Sequence, residues 1–125
     1  PTESTKYFNN HKTILITRDP RDQYLEIKRY KKGSSVMGFI DWYKEMQNRL
    51  KLINDENILM VKFEDFVNYN EKYIKKICDF LKLSSVVSSS YNVELSKKNV
   101  YKFRYHKDKK EIQLIENHLK DYIKN

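Results

Sequence analysis

Apolar positions along this chain fall into two rhythms. Thr13-Ile14-Leu15-Ile16-Thr17 and Ile58-Leu59-Met60-Val61-Lys62-Phe63 are short runs rich in branched side chains, which predicts two buried strands. Elsewhere the apolar residues recur every three or four positions. Helices are predicted over 20–30 (Tyr24, Leu25, Ile27) and over 35–53, where Val36, Phe39, Ile40, Tyr43, Met46 and Leu50 share a stripe. Two more are predicted over 71–83 (Ile74, Ile77, Cys78, Leu81) and over 109–124 (Ile112, Ile115, Leu119, Ile123). Pro20 lacks an amide hydrogen and suits the first helical position, with Asp19 before it as a cap. Lys31-Lys32-Gly33-Ser34 and Asn54-Asp55-Glu56-Asn57 are breaks. Ser84 to Ser90 reads as a mobile serine-rich loop, and residues 91–108 as irregular, basic and aromatic.

The order strand, helix, helix, strand, helix, loop, helix predicts an α/β fold, helix-rich, with a parallel sheet flanked by helices. Two strands leave the outer edges of such a sheet open, and an open edge recruits further backbone. The expectation is therefore an incomplete domain spanning residues 1–125, completed by a missing N-terminal half or by a second copy.

Composition narrows the class. The chain has 125 residues, 39% hydrophobic and 34% charged, enough for one modest core and too apolar for a disordered polymer. The longest apolar runs are strand-sized, so no transmembrane segment is predicted, and the polar stretch Pro1–Lys12 has no signal-peptide character. Cys78 is the sole cysteine; an internal disulfide is excluded, its helical spacing makes it a packing residue, and a reducing, cytoplasmic setting is expected. The three histidines, His11, His106 and His118, are scattered without metal-ligand spacing, and no nucleophile constellation occurs.

A formal net charge of +8 calls for an anionic partner: nucleic acid, a phospholipid surface, a sulfated glycan or a nucleotide. The densest basic stretch contains Lys97, Lys98, Lys102, Arg104, Lys107, Lys109 and Lys110, opposed only by Asp108. Tyr101, Phe103 and Tyr105 alternate through it, a pattern also found in single-strand nucleic-acid binders. At the other end of the chain Arg18 stands where the first strand meets a helix N-terminus. Amides and a partial positive charge gather there, and a guanidinium adds a forked pair of donors for a phosphate. The plainer reading pairs Arg18 with Asp22 or with a carboxylate at the sheet edge. Glu64-Asp65, just after the second strand, reads as a cap for the next turn that also holds a basic side chain.

Ile14-Leu15-Ile16-Thr17-Arg18-Asp19-Pro20-Arg21-Asp22 resembles the strand-to-helix segment with which sulfotransferases grip the 3′-phosphate of 3′-phosphoadenosine 5′-phosphosulfate (PAPS). Phe39-Ile40-Asp41-Trp42 resembles the aromatic helix that follows, and Lys62-Phe63-Glu64-Asp65-Phe66 the family's strand, aromatic and Glu-Asp segment. Ser96-Lys97-Lys98-Asn99-Val100-Tyr101-Lys102-Phe103 resembles the basic loop that closes over the same phosphate. The resemblance runs through almost the whole chain in order. It implies part of a P-loop-type parallel sheet and transfer of a sulfuryl group from PAPS to a hydroxyl or amine, leaving adenosine 3′,5′-bisphosphate. It also implies that Arg18 holds the 3′-phosphate, with Lys102 and Arg104 or Lys98 from the basic loop.

Two departures stand out. The position at which the family carries a phosphate-binding serine is Glu26 here, and a carboxylate facing a phosphate is repulsive. The helix register shifts, Glu26 turns away, or the nucleotide site has changed; Tyr24 and Lys28 are the nearby replacements. The glycine-containing loop that binds the phosphosulfate in the family also has no counterpart in Pro1–Lys12, which holds no glycine. This chain is therefore expected to be inactive by itself. A nucleic-acid module and a degenerate, inactive nucleotide binder stay open as alternatives.

Overall fold

The computed structural model describes residues 7–8, 11–31, 33–84 and 91–123. In chain order the elements are β1 (Thr13–Thr17), α1 (Pro20–Tyr30), α2 (Val36–Lys51), β2 (Ile58–Lys62), α3 (Phe63–Asn68), α4 (Asn70–Leu81) and α5 (Val93–Lys97). A 3-10 turn (Lys102–Tyr105), α6 (Lys109–His118) and a second 3-10 turn (Lys120–Tyr122) complete them. They form two compact units, Pro1–Thr17 with Asp55–Lys97, and Arg18–Asn54 with Lys98–Asn125.

In the first unit β1 and β2 pair in parallel, Thr13 opposite Ile58 through Thr17 opposite Lys62. α3 and α4 pack on β2, and the buried apolar residues Val61, Val67 and Cys78 come from these three elements. The helix-rich α/β class with a small parallel sheet flanked by helices is as predicted. The strands are less buried than predicted, with Ile16 66% and Met60 47% exposed. Each pairs on one edge among the described residues, and the six-residue α3 and twelve-residue α4 shield little more than Val61.

β2 gives way to helix at Phe63, so Glu64 and Asp65 lie in the first turn of α3, where the helix dipole favours acids. Asp65 accepts from the Tyr73 hydroxyl at 3.2 Å. α4 ends at Lys82, whose left-handed φ of 58° lets the Leu83 amide return to the Cys78 carbonyl at 2.9 Å.

The second unit packs α1, α2 and α6 around Tyr24, Phe39, Ile40, Tyr43, Ile115 and Leu119. Fully burying a side chain of this kind contributes about 1.5–3 kcal/mol, so this cluster stabilises the unit. Gly33, at φ +86°, turns the chain from α1 toward α2 in a conformation most side chains avoid. Ser35 then caps α2 by accepting from the Gly38 amide at 3.3 Å. The last helix stops at His118 rather than running to 124. The chain tightens there into Lys120–Tyr122, which sets the Tyr122 ring edge-on to Tyr43, 5.9 Å between centroids. Residues 91–108, predicted irregular, contain α5 and the basic 3-10 turn. The predicted loop Ser84–Ser90 lies, after Ser84, outside the described residues. Among the described residues no helix is long and apolar enough to cross a membrane.

Candidate functional site

The N-terminus of α1 is built by three charged residues around Pro20. Asp19 caps the helix by accepting from the Arg21 amide at 2.9 Å. The same carboxylate takes a forked pair from the Arg21 guanidinium, Nε at 3.0 Å and Nη2 at 2.7 Å. Arg21 Nη1 reaches Glu116 of α6 at 2.8 Å, and the guanidinium carbon lies 3.7 Å from the centre of the Phe103 ring. Burial would lower the Arg21 basicity; the hydrogen bonds to Asp19 and Glu116 outweigh it and hold its pKa above the ordinary value. Arg21 is thus committed to holding α1, α6 and the basic turn together.

Arg18 faces the other way. Its side chain is 20% exposed, and Nη2 donates to the Asn99 carbonyl at 2.6 Å. The same nitrogen stands 4.0 Å from Asp22 Oδ2, so the pairing with Asp22 is present as a longer contact beside the one to the basic loop. Asp22 is fully buried, and its Oδ1 accepts from the Phe103 amide at 2.9 Å. Burial pushes the Asp22 carboxyl above its usual range, against the lowering effects of the Phe103 amide and Arg18.

The other predicted residues fall on the same side of α1 or on the loop that meets it. Lys102 Nζ lies 3.3 Å from Glu26 Oε1, and Arg29 approaches the other Glu26 oxygen at 4.0 Å. Glu26 therefore faces the basic turn with two cations around it rather than pointing into open solvent. Arg104 is exposed and stacks over Tyr101, 4.6 Å from the ring centre. Lys98 is exposed at the start of the loop. Tyr24 and Lys28, the candidate replacements for the missing serine, are both engaged by Glu111: the Tyr24 hydroxyl donates at 2.9 Å, and Lys28 forms an ion pair. Burial, reinforced by Glu111, pushes the Tyr24 phenol well above its ordinary pKa.

Sequence reasoning missed Arg21, Asp22 and Glu116 as organisers. In Arg18-Asp19-Pro20-Arg21-Asp22 the two arginines are three positions apart on a helix start, and spacing alone does not tell which one turns inward. The only signal available was the apolar face of the last helix, which leaves Glu116 beside the buried Ile112 and Ile115.

The second unit thus gathers cations from two distant segments at the capped start of α1, in an α/β chain. A model of the sulfotransferase family matches residues 4–87, more than half of the chain, and the chain belongs to that family. The match takes in Arg18, Glu26 and Glu64-Asp65; Lys98, Lys102 and Arg104 lie beyond it. No curated protein and no solved structure matches the chain.

Proposed function

We propose that this chain is the C-terminal, 3′-phosphate-gripping portion of a P-loop-type sulfotransferase domain that moves a sulfuryl group from PAPS to a hydroxyl or amine. The observation that carries the reading is the 2.6 Å contact of Arg18 with Asn99. It brings the guanidinium at the end of β1 against the loop that also carries Lys98, Lys102 and Arg104. A phosphate dianion suits such a set, since a forked guanidinium and ammonium groups supply charge-assisted donors. Glu26 opposes it, as does the buried Asp22 carboxylate beside Arg18, and Lys102 with Arg29 already offsets the Glu26 charge. PAPS, when bound, supplies the activated sulfuryl group; the chain's own residues bind and orient its nucleotide end and stabilise the negative charge there.

This reading assigns the glycine-containing phosphosulfate loop and the catalytic base to a segment outside residues 1–125. The open edges of β1 and β2 then receive that segment or a second copy. The acceptor is set by the same outside parts. A nucleic-acid module has less support. Of its three alternating rings, Phe103 is buried under Arg21 and Tyr101 lies half-buried under Arg104, which leaves only Tyr105 fully open for a base to stack on.

Titration calorimetry of the complete domain with adenosine 3′,5′-bisphosphate tests the assignment. Arg18→Ala should weaken binding by ten-fold or more while unfolding stays cooperative. Equal affinity in the two proteins would make Arg18 structural. Absence of binding, together with tight, steeply salt-dependent capture of single-stranded oligonucleotides, would favour the nucleic-acid reading.

A further inference from the structure

Asp22 is the third residue of α1, where an acidic side chain ordinarily folds back to the amide of its own helix cap. Here the carboxylate leaves its helix. Oδ1 accepts from the amide of Phe103, 81 positions away, and so caps the 3-10 turn Lys102–Tyr105 from outside. That turn has no side-chain cap from its own preceding residue, Tyr101, which sits at a left-handed φ of 57° that a bulky L residue seldom adopts. Oδ2 faces Arg18 at 4.0 Å, and Arg18 in turn donates to Asn99 at the start of the same loop. One buried carboxylate therefore touches both arms of the cation cluster: the arginine that follows β1 and the turn that carries Lys102 and Arg104.

We infer that Asp22 is a positioning residue for anion recognition, setting Arg18 and the Lys102–Arg104 turn at a spacing that accepts a terminal phosphate. The inference rests on the nucleotide reading above. A carboxylate is suited to the task because Oδ1 accepts from the turn while Oδ2 presents negative charge toward Arg18 at 4.0 Å. An amide of the same shape still accepts from the Phe103 N–H through its oxygen, but it presents an NH2 group to Arg18, and two donors face each other. The charge of Asp22 and its hydrogen bond to the turn can thus be removed separately.

Two measurements test this, the first on the domain completed by the segment that supplies the phosphosulfate loop and the second on the 125-residue chain. The first compares Asp22→Asn with the unaltered protein in binding adenosine 3′,5′-bisphosphate and adenosine 5′-monophosphate, which differ only in the 3′-phosphate. The expected result is a loss of ten-fold or more for the bisphosphate and less than two-fold for the monophosphate. Equal losses for both, or no loss for either, would overturn the positioning role. The second needs no ligand: in Asp22→Ala, amide hydrogen exchange at Phe103 should accelerate at least ten-fold while Ile112 and Ile115 in α6 keep their protection. Unchanged exchange at Phe103 would overturn the claim that Asp22 holds the turn. If the completed, unaltered domain binds neither nucleotide, the nucleotide reading fails and takes the phosphate half of the inference with it. The exchange result then decides the turn-holding half alone.

Discussion

Lys102 and Glu26 form an ion pair 3.3 Å long across the start of the second unit, joining the basic turn to the middle of α1. Both side chains are about a third exposed, so the pair itself adds little stability. Its consequence lies in binding. An incoming phosphate competes with Glu26 for Lys102, and the carboxylate stays close enough to repel it. Glu26→Ser should therefore tighten binding of adenosine 3′,5′-bisphosphate by ten-fold or more, since about 1.4 kcal/mol of relieved repulsion suffices. Lys102→Ala in the same background should reverse most of the gain. Calorimetric titration of the three proteins checks this, and a change under two-fold for Glu26→Ser would place the phosphate elsewhere.

Arg21 joins Asp19, Glu116 and the Phe103 ring, and its loss leaves the buried Asp19 carboxylate without its forked partner. Arg21→Met should lower unfolding free energy by roughly 3 kcal/mol, the scale for breaking one side of a buried pair. Arg21→Lys should recover little, because an ammonium cannot span the forked contact and the ring together. Urea denaturation followed by circular dichroism gives the values. A cost near that of a surface substitution would show that Glu116 and Asp19 find other partners.

The raised pKa of Asp22 makes a signed prediction for stability against pH. Desolvation is the dominant cause, opposed by the Phe103 and Tyr101 amides and by Arg18, and assisted by Asp19. Lys102 and Arg104 of the packed turn and Arg21 beside it are the other charges nearby. A carboxyl whose folded pKa exceeds its unfolded value favours folding most below the unfolded value, about 4, and loses that contribution as pH rises through the folded value. The melting temperature of Asp22→Asn relative to the unaltered protein should therefore climb from about pH 4 toward neutrality. A difference that falls over this range would mean that attraction to Arg18 outweighs desolvation.

Among the described residues β1 and β2 each pair on one edge only, and Ile16 and Met60 are largely open, so the chain should associate as its concentration rises. Sedimentation velocity should show species larger than the monomer, and Ile16→Lys should diminish them. A single monomeric species at all concentrations would show that the edges are protected.

Much of this architecture was legible along the chain. β1 was predicted at its observed bounds because a run of branched residues ends abruptly at an arginine and a proline. The faces of α1, α2 and α6 were legible because Tyr24, Ile40 and Ile115 recur at helical spacing, and Asp19 was readable as a cap because proline follows it. α3 and α5 were not, since six and five residues are too few for a period to emerge. The conformation of residues 101–105 was hidden for another reason. Tyr101 sits in a left-handed turn two residues before the amide that Asp22 caps from α1, and no local pattern encodes a cap supplied from 81 positions away. For the candidate site, Arg18 and the basic loop could be named from sequence, whereas the pairing of Lys102 with Glu26 depends on how the basic turn meets α1, and that of Lys28 with Glu111 on how α6 packs against it.

The second unit is made from two stretches separated by more than forty residues, and this bears on how the protein is born. Tyr24 and Ile40 emerge from the ribosome long before Ile115 and Leu119, the residues that cover them. Until residue 119 has been synthesised, the apolar faces of α1 and α2 lack their lid, and the partners of Arg21 and Tyr24 on α6 do not exist. Closing a loop of that length also slows the search for native contacts. Newborn chains therefore pass through an interval in which two greasy helices stand open, and chaperone capture during translation should be concentrated in that window.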